Sequence, residues 1–291
     1  MNILVTGKNG QLGSEFSGLS SMYKYHNFYF TDVESLDITN LEIINEYSVL
    51  NKIDLIVNCA AYTAVDKAEE EKDKANEVNN IAVSNLVRVC LKYDIKLIHI
   101  STDYVFDGTK NSPYNEDDIT NPIGTYGLSK SLGEDKILKS DVTAIIIRTS
   151  WLYSSFGNNF VKTIIRLSQE KNSINVVNDQ FGSPTYAKDL ADACMQTINQ
   201  SDSWLTKPEI FHFSNEGKCS WYDFAKKILE INQMKLDIVP VSSKDYPSKT
   251  KRPKYSLLNK EKIKSKFNIS IPQWDDSLRD CMKTISDKLQ Y

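Results

Sequence analysis

Tyr126 stands four residues ahead of Lys130 in the segment TYGLSKSLGE, a spacing that brings a phenol and an ammonium onto one face of a helix. A cation beside a phenol favours its ionised form, and a phenol with an eased proton can exchange it near neutrality. Spacing alone does not decide the matter, because Tyr222 and Lys226 repeat it in a chain with 15 tyrosines. That second pair flanks an amphipathic stripe of Trp221, Phe224, Ala225, Ile228 and Leu229, which Ser220 can cap, and it follows no binding motif. The first pair has a different setting. Thr102 lies 24 residues before Tyr126, at the end of the strand-like run in HISTDYVFDG. The carboxyl end of a parallel strand is where open α/β sheets bind ligands.

A second group of residues suits a dinucleotide. VTGKNGQLG places Gly7, Gly10 and Gly13 between an opening strand and the first helix. Glycines there let the turn tighten and let backbone N–H groups approach a pyrophosphate, while the helix N-terminus supplies positive potential. The next strand-like run ends at Asp32, 19 residues after Gly13. A carboxylate at that point can accept from both hydroxyls of an adenosine ribose and would repel a 2′-phosphate, although Asp also starts turns well. Asp37, with Ile38 beside it, is placed on the adenine side. NCAAYT puts Ala60, Ala61 and Thr63 after the third strand, where small residues suit either a close cofactor or a buried strand end.

The elements that must position these groups alternate. Candidate strands are Ile3 to Thr6, Phe28 to Thr31, Leu55 to Asn58, Lys96 to Ser101, Ala144 to Arg148 and Ile174 to Val177. Helical periods fall at Gln11 to Leu19, Leu41 to Leu50, Asp73 to Tyr93, Tyr126 to Lys139 and Asn159 to Lys171, then at Asp189 to Gln200 and Ser220 to Asn232. This pattern predicts an α/β, Rossmann-type doubly wound parallel sheet with a smaller C-terminal substrate-binding lobe. Residues 1–150 are expected to form the dinucleotide-binding core. Residues 151–291 are expected to form mainly the lobe, with some segments returning to the core, since Gly-, Pro-, Ser- and Asn-rich loops interrupt the alternation there.

Composition removes several classes of function. A formal net charge of −3 over 291 residues offers no basic field for nucleic acid. Apolar runs such as LIVNCAA are strand-length, short of the roughly 20 residues of a membrane span, and the chain opens on a strand-like NILVTG, not a signal peptide. A cytoplasmic protein is expected. The five cysteines are scattered without C-x-x-C, which suggests neither a disulfide framework nor a zinc site. His26, His99 and His212 are isolated and read as structural, so no metal site is expected.

The strand-end hydroxyl followed by Tyr-x-x-x-Lys resembles the catalytic set of the extended short-chain dehydrogenases. CAAYTAVDKAEEE, ISTDYVFDG, YGLSK, RTSWLY, GNNFVKT, NDQFGSPT and KRPKYSLLN are similar to the motif series of the dTDP-4-dehydrorhamnose reductases. The resemblance implies reduction of the C4 ketone of a dTDP-linked 6-deoxy-4-hexulose, dTDP-4-dehydrorhamnose, to dTDP-L-rhamnose by NADH or NADPH. It makes Tyr126 the proton donor, with Lys130 lowering its pKa and holding the nicotinamide ribose, and Thr102 bonding the reacting oxygen. It places Gln11, Leu12, Asp32, Asp37, Ala61 and Thr63 on the cofactor, and Thr102, Asp103 and Trp151 on the sugar. Trp151 also suits a core. Asn158 and Asn159 could meet a diphosphate or cap the next helix. Of the cations Lys249, Lys251, Arg252 and Lys254, Arg252 is the one assigned to the diphosphate; such a run otherwise forms a solvated face.

Other activities on the same scaffold are another 4-ketosugar reductase, an epimerase or dehydratase, or an idle cofactor-binding regulatory subunit resembling the β subunit of methionine adenosyltransferase. Related dehydratases resemble this chain but follow the threonine with Asp-Glu, whereas here Asp103 precedes Tyr104. A homodimer is possible for the family. Magnesium at its interface is doubtful, since Glu15 is present but Lys188 stands where a second acid would align, and an ammonium cannot ligate a cation.

Overall fold

The computed structural model describes residues 1–246 and 250–289. The chain runs β1 (Asn2–Thr6), α1 (Gln11–Leu19), β2 (Asn27–Thr31), α2 (Leu41–Leu50) and β3 (Leu55–Asn58). Next come α3 (Val65–Ala68), α4 (Lys72–Asn76), a π-helical turn (Glu77–Ile81), α5 (Ala82–Tyr93), β4 (Lys96–Thr102), α6 (Thr125–Leu138) and β5 (Ala144–Thr149). The remainder is β6 (Leu152–Tyr153), α7 (Phe160–Glu170), β7 (Ser173–Val177), β8 (Phe181–Gly182), β9 (Thr185–Tyr186), α8 (Ala187–Asn199), β10 (Glu209–His212), β11 (Cys219–Ser220), α9 (Trp221–Ile231), β12 (Asp237–Val241), α10 (Glu261–Phe267) and α11 (Trp274–Leu289).

Six parallel strands form the central sheet in the order β10-β5-β4-β3-β1-β2. Its middle strands are buried on both faces, which is why they read as continuous apolar runs. Ile3, Val5, Val57, Ile98 and Ile147 face α1, α8 and α10 through Phe16, Leu190 and Phe267. Leu4, Ile56, Leu97 and Ile146 face α2, α5 and α6 through Ile44, Leu86 and Ile137. The chain leaves β1 to one side for β2 and crosses to the other for β3, so a crevice opens beyond their carboxyl ends. No helix among the described residues is long and apolar enough to cross a membrane.

The second half of the chain shows where local pattern and topology part. The run from Ile174 to Val177 is a strand, but it pairs with β12 outside the central sheet. The sixth place goes to β10, a four-residue strand that extends β5 and is too short to show a period. Helices α3, α10 and α11 also lie outside the segments with evident helical period. Around these elements Tyr153, Val161, Tyr186, Phe224, Ile228, Leu278 and Cys281 form a separate core for the smaller lobe. Ser220 caps α9 in a capping box with Asp223. Lys226 is exposed there and Tyr222 packs partly on the lobe core, leaving that Tyr–Lys pair away from the crevice.

The helical run through residues 73–93 is broken by the π turn at Glu77–Ile81. Asn79 within it accepts from the Tyr62 N–H at 2.9 Å and donates to the Ser129 hydroxyl at 3.0 Å. Such a turn inserts one polar side chain between packed elements. The partner helix α6 meets it through glycine, since a Cβ on Gly133 would lie 2.2 Å from the Asn79 carbonyl; Gly127 likewise fits α6 against the turn after β4, a Cβ there lying 2.1 Å from the Tyr104 carbonyl. At an exposed helical site, Gly to Ala stabilises by about 1 kcal/mol. Here backbone occupies the space, so Gly133→Ala should instead lose about 1–3 kcal/mol by overpacking. Urea unfolding midpoints measure the sign, and a gain in stability would show that the two helices are not in close contact.

Candidate active site

The crevice is a cavity of about 510 Å³ lined from the carboxyl ends of β1, β3, β4 and β5. Gly7 has a φ of +67° and a Cβ there would sit 2.8 Å from the Ala60 nitrogen; one on Gly13 would sit 2.3 Å from the Gly7 carbonyl. These two glycines shape the turn from behind, while Gly10, Gln11 and Leu12 line the cavity. Gly10 is the N-cap of α1 and no side chain caps that helix, so its first N–H groups remain open to an anion. Ala61 and Thr63 line the opposite wall, with Ala60 packed beneath against Gly7.

Asp32 closes β2 and takes the Asn9 N–H on Oδ2 and the Val33 N–H on Oδ1, both at 2.9 Å. Its carboxylate therefore sits on the outer flank of the glycine turn, beyond the cavity lining. Asp37 accepts from the N–H and hydroxyl of Thr39, and Ile38 is buried. Both shape the loop after β2.

Thr102 ends β4 and caps the short turn Asp103–Val105, accepting from the Tyr104 N–H and donating to Asp103 Oδ1, each at 3.2 Å. Burial pushes the Asp103 carboxyl up to about 6, against the pull of the Ser256 and Thr102 hydroxyls. Opposite Thr102, α6 presents Tyr126, whose ring meets Tyr104 edge-on at 5.4 Å. The helix start is held by Glu69, which accepts from the Thr125 N–H and hydroxyl at 2.8 Å, an acid well placed at a helix N-terminus. Burial raises the Tyr126 phenol to about 12; the Thr102 hydroxyl draws it down and Asp103 pushes it up.

Lys130, four residues on from Tyr126, is buried yet lines the same cavity, and its Nζ donates to the Ile100 carbonyl at 2.6 Å and meets His99 Nε2 at 3.2 Å. Desolvation lowers the ammonium to about 8, partly opposed by Glu134 and Cys59. A buried cation needs acceptors, and a strand carbonyl with an imidazole supplies them. One helical turn on, Glu134 takes Arg148 Nε at 2.9 Å and Nη2 at 2.6 Å, and the Ser101 hydroxyl at 2.5 Å. His99, Glu134 and Arg148 were not marked by spacing as site residues. Glu134 follows Lys130 at helical spacing and Arg148 interrupts an apolar strand, signals that point to a buried pair once the fold is known.

Trp151 has a φ of +48°, lines the cavity and stacks on Trp221 at 3.7 Å, so it serves both the cleft and the lobe core. Asn159 is a helix cap: it accepts from the Lys162 N–H and donates to Gln11 Oε1, Ser154 O and Phe156 O. Asn158, not Asn159, lines the cavity. Arg252 pairs with Asp66 at 3.1 Å and lines a second cavity of about 600 Å³, with Phe160, Val177, Gln180 and Trp221. Lys249 lies outside the described residues. Glu15 is buried and accepts from the Ser154 hydroxyl at 2.6 Å, and Lys188 pairs with Asp280 at 2.8 Å.

The chain matches the family described as RmlD substrate binding domain over residues 1–286. A dTDP-4-dehydrorhamnose reductase of Aggregatibacter actinomycetemcomitans is 39% identical over 287 residues, 96% of this chain and 97% of the relative. The crystal structure of a dTDP-4-dehydrorhamnose reductase from Clostridium acetobutylicum has a TM-score of 0.92 at 38% identity, covering 100% of both chains. That of the Bacillus anthracis enzyme in complex with NADP has a TM-score of 0.92 at 38% identity, covering 97% of this chain and 99% of the other.

The buried Asp103 carries a stability signature. Its folded pKa of about 6 lies above the ordinary 3.8, so the folded state favours the protonated carboxyl. That contribution is complete below the unfolded pKa and is lost as pH rises through the folded one. Asp103→Asn keeps the acceptor for Thr102 and removes the charge. It should raise stability by about 1–3 kcal/mol at a pH of about 8 and change it little at about 4. Urea midpoints at the two pH values check this; an equal gain at both would mean that the charge is not the cause.

Proposed function

The chain belongs to the family of the RmlD substrate binding domain, and from that premise we propose that it reduces the C4 ketone of dTDP-4-dehydrorhamnose to dTDP-L-rhamnose. The observation that carries this reading is the convergence of Thr102, Tyr126 and Lys130 in one cavity with the open glycine turn. The glycine turn fits a dinucleotide, since Cβ atoms on Gly7 and Gly13 would fill it and the α1 N-terminus has no side-chain cap. Gly10, Gln11, Leu12, Ala61 and Thr63 would hold NADH or NADPH, with Asp32 at the adenosine ribose. When bound, that cofactor supplies the hydride.

A reductase needs an acid rather than a base. With its pKa near 12 the Tyr126 phenol is protonated throughout the neutral range, so it can pass its proton to the substrate O4 while the Thr102 hydroxyl donates to the same oxygen. Ketone, hydride and this proton together make the alcohol. Lys130, as an ammonium, favours the phenolate left behind and would bond the nicotinamide ribose. Asp103 and Trp151 contact the sugar, and Arg252, whose buried Nε has no hydrogen-bond partner, meets the diphosphate. The nucleotide occupies the second cavity, which adjoins the first through the Trp151–Trp221 stack.

A dehydratase would need a second carboxylate after Asp103 to remove one proton and deliver another. Tyr104 stands there instead, its phenol raised by burial, and an idle regulatory role would leave the complete Thr102, Tyr126 and Lys130 set unused. No magnesium-dependent dimer is expected, because Lys188, an ammonium paired with Asp280, stands where a second acid would be needed beside Glu15. The free cysteines fit a cytoplasmic setting.

Net reduction consumes one nicotinamide per product, so NADH loss is expected to match rhamnose formed mole for mole. Conversion without net cofactor loss would instead mark a dehydratase or epimerase. In the same assay Tyr126→Phe should lose about two to four orders of magnitude in turnover while cofactor binding is retained.

Cofactor choice turns on Asp32. The Bacillus anthracis relative is described with NADP, but a carboxylate at the ribose repels a 2′-phosphate. NADH should therefore serve at least as well as NADPH, with Asp32→Ala moving the ratio of kcat/KM toward NADPH. A strong NADPH preference that survives Asp32→Ala would count against this placement.

A further inference from the structure

Thr6, Asn58 and His99 are register partners on three adjacent strands, β1, β3 and β4, so their side chains form one row on the face covered by α6. All three are buried, His99 completely. The row is linked end to end: Thr6 Oγ1 and Asn58 Oδ1 are 2.7 Å apart, Asn58 Nδ2 and His99 Nδ1 3.0 Å, and His99 Nε2 and Lys130 Nζ 3.2 Å. At its far end the Ala60 N–H donates to Thr6 Oγ1 at 3.4 Å, beside the glycine turn.

A neutral imidazole has one donor and one acceptor nitrogen, and burial together with the Lys130 charge keeps His99 neutral. While Lys130 is an ammonium, His99 Nε2 must accept, so Nδ1 carries the proton and the Asn58 amide must present its oxygen to it. The amide nitrogen then donates to Thr6. When Lys130 has lost its proton the row can reverse: His99 Nε2–H donates to the amine, the Asn58 amide nitrogen donates to Nδ1, and the Thr6 hydroxyl donates to the amide oxygen. The same positions serve both patterns, with the amide turned over.

We propose that His99, oriented by Asn58 and Thr6, is a positioning residue that holds the Lys130 ammonium through Nε2 and sets the pH at which Lys130 loses its proton. The inference rests on the reading of Lys130 as the working cation of the reduction. The other groups that act on that ammonium are Glu134 on its own helix, which also binds Arg148 of β5, and the Cys59 thiol after β3; Tyr126 shares its cavity. None of these replaces the acceptor that His99 supplies. Without it the buried ammonium keeps the Ile100 carbonyl alone and gives up its proton more readily.

The pH profile of kcat/KM should fall on the alkaline side as Lys130 deprotonates. In His99→Leu that fall should move to lower pH by about one unit, about a tenfold loss at the original midpoint. His99→Gln, whose amide oxygen can accept from the ammonium, should return it to near its original place. A fall that stays put in His99→Leu would overturn the proposal. So would a Gln variant indistinguishable from Leu. Nitrogen NMR of the unaltered protein, which has three histidines, gives a second reading independent of variant folding. The His99 ring should be protonated on Nδ1 at about pH 7 and cross to Nε2 over the range in which Lys130 titrates. A ring protonated on Nε2 throughout would refute the coupling. The crossover in a chain without reductase activity would support the coupling and count against the reduction reading alone.

Discussion

The buried pair of Glu134 and Arg148 is the constraint on which the site depends. Both side chains are 2% exposed, and burying either charge alone would be costly. The cost is offset because the partners satisfy one another: two guanidinium contacts and the Ser101 hydroxyl meet the carboxylate, and the Phe106 ring lies 5.0 Å from the guanidinium carbon. Removing one partner of such a pair costs roughly 3–5 kcal/mol, since the other remains buried and uncompensated. Here the pair also fixes α6 along its axis. Ser101 and Arg148 are register partners on β4 and β5, so Glu134 ties the helix across two strands, one level from Thr102. The positions of Tyr126 and Lys130 follow from that anchor.

Below this level the sheet face is apolar, with Leu4, Ile56, Leu97 and Ile146 packed on α2, α5 and α6. Above it, at the carboxyl ends, the same face becomes polar: Thr6, Asn58, His99, Ser101 and Arg148. Period-2 alternation makes this change possible without altering the helices, because each strand places its last inward-facing residue at the edge of the crevice. The polar layer is buried, and burial is the largest cause of the shifts at Asp103, Tyr126, Lys130 and His99. Desolvation keeps the phenol protonated and weakens the hold of the lysine on its proton. Both effects leave proton positions sensitive to the hydrogen bonds around them.

The smaller lobe contributes a wall and a second cavity rather than a separate chemistry. Trp151 follows β5 with a left-handed backbone and stacks on Trp221 at the start of α9. The close fit of Gly182 beneath it, where a Cβ would lie 2.9 Å from the indole, holds the ring at the junction of the two cavities. Asn159 secures the same junction from the other side by capping α7 and donating to Gln11 of the glycine-turn helix.

Much of this was legible in the chain. The first five strands and helices α1, α2, α6 and α7 follow from local period to within a residue or two, because each buries a stripe of its own, and the glycine trio, Thr102, Tyr126 and Lys130 stand out by spacing taken together with their place at strand ends and helix starts. Sequence could not supply the sixth strand of the sheet: β10 has four residues and gains its place only by pairing with β5, while the longer β7 joins β12 instead. Nor could it show that Asn159 would be consumed as a cap, that Arg252 would reach the second cavity, or that an isolated His99 would touch Lys130. Local pattern is a property of neighbours along the chain. The side-chain partners of His99 lie on β3 and α6, 41 and 31 residues away, and strand register, settled only when the whole sheet packs, brings them into one row with Thr6 of β1.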